Sequence, residues 1–165
     1  GPQSTGILCG RADLMEAAYM NSAPNSDSIG RAAKVCKEEI AGLVTALEMF
    51  VDADHDAEMA GWHAKSEYIV SALAAIPGVN AELEDAEPEL DEFQRTSPRM
   101  MVRLDKSIGV SAQEVMNQLA EGDPSIRVYD ADYRGVIQIS PVNLQDGDEV
   151  LIAERFEQIL EQSAN

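Results

Sequence analysis

The residues with the most chemistry to offer are two cations. Gly30-Arg31-Ala32-Ala33-Lys34 sets a guanidinium and an ammonium one helical turn apart, directly after a loop. At the start of a helix the macrodipole disfavours cations unless an anion joins them, so the pair reads as an anion site. A second reading stays open, in which Lys37, Glu38 and Glu39 balance the charge and the pair is a solvated surface feature. His63-x-x-x-Glu67 puts an imidazole and a carboxylate on one helical face, with His55 further upstream. Two such ligands could share a metal, but in an acidic chain they arise by chance, and a solvated face with no metal site is the expectation. Cys9 sits in an apolar stretch with nothing local to lower its pKa, which makes it a small core residue rather than a nucleophile. Gly1, Gly6 and Gly10 imitate a phosphate loop, yet no Gly-Lys-Ser/Thr follows, so the nucleotide P-loop is absent.

The elements that must position these groups follow from periodicity. Ser4 to Gly10 reads as a short buried strand, and a helix capped by Asp13 runs to about Met20. Asn21 to Gly30 is a loop of turn-forming residues. Ile40, Leu43, Val44, Leu47, Phe50 and Val51 recur at helical spacing, which predicts a buried stripe on a helix from Lys37 to about Asp52. A second helix starts near Asp54, carries Met59, Trp62, Ile69, Val70, Leu73 and Ile76, and stops at Pro77-Gly78. Strands are expected over Val79 to Leu83, Arg99 to Asp105, Ile126 to Tyr129 and Val136 to Ser140, with a polar turn from Asp130 to Gly135. Ser111 and Glu114 form a capping box for a helix to about Glu121, and a last helix opens near Asp146. The acidic run Glu84 to Glu92 reads as a solvated connection. This order favours an α/β fold of the two-layer α+β kind: an antiparallel sheet of about four strands covered by helices.

At 165 residues the chain is the length of one ordinary domain. Its 12 basic against 30 acidic residues give a net charge of −18, which repels nucleic acid backbones and anionic lipid surfaces. No apolar run approaches the ~20 residues a membrane helix needs, so no membrane partner is expected. Cys9 and Cys36 lack CxxC spacing and read as reduced cytoplasmic thiols. Residue 1 is not Met, which suggests a chain cut or processed ahead of Gly1.

Gly1 to Arg11 (GPQSTGILCGR) and the stretch NSAPNSDSIGRAAKVCKEEIAGLVTALEMF resemble the segment after the cofactor lysine in fold-type I pyridoxal-phosphate (PLP) enzymes. The similarity is to the group of selenocysteine synthase (L-seryl-tRNA selenium transferase) and D-glucosaminate-6-phosphate ammonia-lyase. GVIQISPVNLQDGDEVLIAERFEQIL is similar to the end of their small domain. The resemblance implies that 1–52 is the last strand and helices of the PLP-binding large domain and that 53–165 is the small domain. It also implies that the Schiff-base lysine, in a Gly-Gly-Lys motif, lies upstream of Gly1. Lys34, Lys37, Lys65 and Lys106 stand outside that motif.

Taken as a whole, the resemblance implies a C-terminal fragment of a PLP-dependent lyase or transferase acting on an amino acid or amino sugar acid. Such a fragment contains no catalytic residue and is inactive alone. Arg31 falls where selenocysteine synthase has the first residue of an Arg-x-x-Arg pair, which implies that it binds an anionic substrate group. Lys34 departs from the second and puts selenium transfer in doubt. Gln3, Ser4 and Thr5 would lie near the cofactor and the dimer interface. Gln138 stands where related enzymes place a carboxylate-binding arginine, with Arg99, Arg103 and Arg134 as unanchored alternatives. A homodimer is expected. The alternative is a non-catalytic dimerisation or interaction module, or selenium transfer to seryl-tRNA in the intact protein.

Overall fold

Pro77 and Gly78 stop the longest helical pattern, and there the architecture turns from helix to sheet. The computed structural model describes residues 1–84, 97–131 and 135–163. They divide into two compact units, Gly1–Asp54 and His55–Asn165.

The second unit begins with a helix over His55–Ala74, here α3, since two helices precede it in the chain. It is followed by β1 (Val79–Glu84), β2 (Arg99–Leu104), α4 (Ala112–Glu121), β3 (Tyr129–Ala131), β4 (Val136–Ile139) and α5 (Asp148–Ser163). The strands form one antiparallel sheet in the order β1-β2-β4-β3. Period two sorts their side chains: Val79, Ala81, Met100, Val102, Ile137 and Ile139 are buried, whereas Asn80, Glu82, Arg99 and Arg103 are exposed. Register joins these rows, pairing Ala81 with Val102 and Val102 with Ile137. The helices cover the apolar face, with α3 packed on β1 and α5, and α4 on α5 and β4. Phe156, Ile69, Leu73, Val115 and Leu119 complete the core. This is the layered arrangement that the order of elements predicts.

Local signals work as their chemistry requires. Ser111 accepts from the Glu114 backbone N–H at 3.2 Å while Glu114 accepts from the Ser111 N–H at 2.9 Å, so the capping box forms. One strand differs from expectation. Only Tyr129 of the expected Ile126 to Tyr129 strand lies in the sheet, and β3 runs on to Ala131. The Ile126 N–H bonds instead to the Leu119 carbonyl at 2.9 Å, which turns residues 126–128 back toward the end of α4. The acidic run from residue 85 onward, and Arg134, lie outside the described residues.

The first unit carries α1 (Ala12–Met20), a short 3-10 turn (Arg31–Ala33) and α2 (Lys37–Asp52). Four expectations need correction here. Ser4 to Gly10 forms neither strand nor helix, because no neighbouring strand in the unit offers its backbone a ladder. Asp13 is not the cap of α1: it lies inside the first turn, where its carboxylate takes two hydrogen bonds from the Arg11 guanidinium at 3.0 and 2.8 Å. Cys9 is exposed rather than in a core. The apolar stripe of α2 forms but is not buried, and Ile40, Val44, Leu47 and Val51 are 51, 49, 46 and 72% exposed. Gly1 and Pro2 lie against this helix from within the unit, at Leu43, Ala46 and Gly42.

Candidate functional site

The Asn21 to Gly30 loop closes on itself through its own polar side chains. Asn25 Nδ2 donates to the Tyr19 carbonyl at 2.8 Å, and Ser28 Oγ donates to the Asn25 carbonyl at 2.8 Å. The Gly30 N–H reaches the Asn21 carbonyl at 2.7 Å. A Cβ on Gly30 would stand 2.7 Å from that same oxygen, so the closure needs glycine. Arg31 leaves the loop at this fixed point.

The helix that the two cations were expected to open is only the three-residue turn Arg31–Ala33, and Lys34 is already extended beyond it. The long helix α2 starts later, with Cys36 as its N-cap. The dipole argument therefore does not apply to Arg31 and Lys34. Both side chains are exposed, and neither enters an ion pair among the described residues. The carboxylates expected to balance them are engaged elsewhere. Glu39 accepts from the Cys36 N–H at 3.1 Å and from Ser4 Oγ, which fastens the opening segment to the first turn of α2. Thr5 Oγ1 donates to the Pro2 carbonyl at 2.7 Å, and Gln3 is exposed.

Electrostatics at this turn argue against a nucleophilic thiol. The Glu39 N–H pulls the Cys36 pKa down, but the Glu39 and Glu38 carboxylates push it up and prevail, leaving it above the ordinary thiol range. Glu38 lies below the usual carboxylate range because its own backbone N–H and the Cys36 thiol donate to it. Among the described residues no three His, Cys, Asp or Glu side chains are grouped to hold a metal ion. None of the helices there is long and apolar enough to cross a membrane.

Lys65 Nζ is committed to the Leu144 carbonyl at 2.9 Å and to Asp146 at 3.0 Å. Lys34, Lys37 and Lys106 are exposed, and no lysine lines the clefts beside α5.

In the second unit, Arg99 and Arg103 lie on the sheet face opposite the core, paired with Glu84 at 3.4 Å and Glu82 at 3.2 Å. Gln138, facing the same way, lines a cleft of about 580 Å³ with Arg127, Tyr129, Ser140 and Asn143. That cleft opens where residues 126–128 leave the sheet. Sequence reasoning missed it, because it exists only through the departure of an apolar segment that alternation alone assigns to a strand.

Similarity to known proteins spans the chain. It is 31% identical over 98% of its length to a D-glucosaminate-6-phosphate ammonia lyase of Salmonella typhimurium, strain 14028s / SGSC 2262. It is 26% identical over 97% of its length to a 5'-C-glycyluridine monooxygenase-decarboxylase of a Streptomyces species. The chain spans 41% and 38% of these two relatives. A solved structure of D-glucosaminate-6-phosphate ammonia-lyase matches 84% of the chain and 36% of its own, with a TM-score of 0.60 at 31% identity. No protein-family model matches. Together these similarities bear out the group resemblance read from the sequence.

Proposed function

From this kinship with the D-glucosaminate-6-phosphate ammonia-lyase group, we propose that the chain is the C-terminal part of a PLP-dependent lyase or transferase acting on an amino acid or amino sugar acid. The observation that carries the reading is similarity along 98% of the chain to a lyase whose substrate is an amino sugar acid phosphate. Residues 1–52 would end the large domain and 53–165 would form the small domain. Pyridoxal phosphate would be held by parts of the parent outside this sequence, so the chain alone is inactive.

The roles left to this chain are binding and positioning. Arg31, fixed at the end of the closed loop, would hold an anionic substrate group, with Lys34, extended just beyond the Arg31–Ala33 turn, adding charge. Ser4, tied to Glu39, would set the Gln3 to Thr5 segment beside the cofactor and the interface of a homodimer. Lys34 cannot form the bidentate fork of an arginine, and a net charge of −18 is unfavourable to tRNA, so the lyase side is preferred to selenium transfer.

The test uses the chain as it stands. Incubated with pyridoxal phosphate and reduced with borohydride, it should carry only scattered, unsaturable label on its lysines. Saturable labelling of one lysine overturns the reading. In the intact parent, Arg31→Ala should lower kcat/KM by about tenfold or more while cofactor absorbance survives, since charge-assisted contacts contribute roughly 1.5–3 kcal/mol. A second reading, a non-catalytic dimerisation module, has the exposed ridge of α2 in its favour. A Gly-Gly-Lys codon run directly upstream of Gly1 would remove it.

A further inference from the structure

Ser140, one residue past the end of β4, stands where a rung of the sheet is missing. The Asp105 N–H donates to the Gly78 carbonyl at 2.8 Å, which turns the main-chain groups of Arg103 and Asp105 toward β1 and, by alternation, those of Met100 and Val102 toward β4. Met100 pairs with Ile139 and Val102 with Ile137, so Ile137 and Ile139 face β2, while Gln138 and Ser140 face the β3 side. Pro141 holds Ser140 extended, and the alternation carries through it. Gln138 meets Tyr129 on that side, but Arg127, the residue next in register for Ser140, has left with the 126–128 segment. Among the described residues, the main chains of Arg127 and Ser140 take no hydrogen bond.

The gap leaves a main-chain donor and acceptor on one wall of the 580 Å³ cleft. Residues from both faces of the sheet line it: Gln138 and Tyr129 from the open face, and Ile126, Leu151 and Ile152 from the α5 side. An added strand has the matching form, since its main chain bonds to an open edge while successive side chains point to opposite faces. Nothing in the cleft's own charge calls for an ion: Arg127 is exposed, and Asp148 is occupied by the Gln145 N–H at 2.8 Å. A net charge of −18 over the chain repels an acidic strand.

We propose that the cleft binds an extended peptide strand of another protein, antiparallel to β4, with an apolar residue and neutral or basic flanks. One residue exchanges main-chain hydrogen bonds with Ser140 and points its side chain to the open face, beside Gln138 and Tyr129. The next drops an apolar side chain onto Ile126 and Leu151. The site lies wholly within the second unit and does not rest on the cofactor reading above.

Calorimetric and NMR titration of the full chain with acetyl-Lys-Thr-Leu-Thr-Lys-amide tests this. The peptide should bind saturably and shift the amides of residues 127–129 and 138–143. The same peptide N-methylated at both threonines keeps its side chains but loses the donors that face Ser140, and it should bind about fivefold or more weaker. Serine in place of the leucine should weaken binding by a similar factor, as should Leu151→Ala in the protein. Arg103→Gln, toward the β1 edge, should leave affinity unchanged. The peptide series keeps the test valid if Leu151→Ala disturbs folding. Absence of saturable binding overturns the proposal, as does equal affinity for the N-methylated peptide. Shifts confined to residues 79–84 would put the peptide on the outer edge instead, and shifts of 127–129 and 138–143 on diluting the chain alone would make a second copy the occupant; either result also overturns it. The cofactor reading is untouched by any of these failures, since no cofactor enters the experiment.

Discussion

Leu73 and Leu47 offer the same truncation in two different surroundings. Leu73, on α3, is fully buried among sheet and helix side chains, whereas Leu47, in the middle of the α2 ridge, is 46% exposed. Leu73→Ala removes buried methyl groups and leaves a cavity, which costs about 2–5 kcal/mol. Leu47 has only about half of its surface to lose, and full burial of a leucine is worth roughly 1.5–3 kcal/mol, so Leu47→Ala should cost less than about 1 kcal/mol in dilute solution. Urea titration followed by the single tryptophan, Trp62 on α3, reports the second unit, and hydrogen exchange across residues 37–52 reports the first. A cost of ~3 kcal/mol in a unit of this size shifts Tm by well over roughly 10 °C. As protein concentration rises, the apolar ridge should be covered by other copies of the chain, and the cost of Leu47→Ala should rise with it by mass action. Equal costs for the two variants at the lowest concentration would refute the exposed ridge. A monodisperse monomer at every concentration, with unchanged exchange over 37–52, would refute the association.

Ser111→Ala removes the acceptor of the α4 capping box and should lower stability by about 1 kcal/mol in the same titration. Asp105 and Glu114 both lie below the usual carboxylate range, each chiefly because a backbone N–H donates to it, from Ser107 and Ser111 respectively. Folded values below unfolded ones mean that these groups add stability above the ordinary carboxylate range and lose it as pH falls through their lowered values; carboxyl NMR titration alongside melting at about pH 3 to 5 checks the sign. Cys36, held above the ordinary thiol range, should react with iodoacetamide at neutral pH more slowly than a model thiol peptide, and Glu39→Gln should speed it.

Sequence legibility followed how local the determining interactions were. The capping box, the stop at Pro77-Gly78 and the alternation in Arg99–Leu104 depend on neighbours within a few residues, and all appear where periodicity places them. Ser4 to Gly10 has the composition of a strand but no ladder to join, and pairing is never a property of one segment. The α2 stripe shows the same division: spacing fixes which side chains share a face, but not whether something covers them. Tyr129 enters the sheet without its predecessors because one bond back to the preceding helix, from Ile126 to Leu119, draws the chain away. Arg31 and Lys34 do have the spacing of one helical turn, but the helix expected to carry them is a single tight turn.

The order β1-β2-β4-β3 leaves β1 and β3 at the margins of the sheet. Open margins invite pairing with other chains, and this protein blunts both: β1 carries Glu82 and Glu84 on its solvent side, and β3 is only three residues long. Among the described residues, both edges of the second unit's sheet thus carry features that discourage pairing with other chains, while the first unit presents an exposed apolar helix face. An expression strategy built on this asymmetry would carry His55 onward as a freestanding piece, suited to the high concentrations that spectroscopy needs, and would reserve detergents or a covering partner for the first fifty-odd residues.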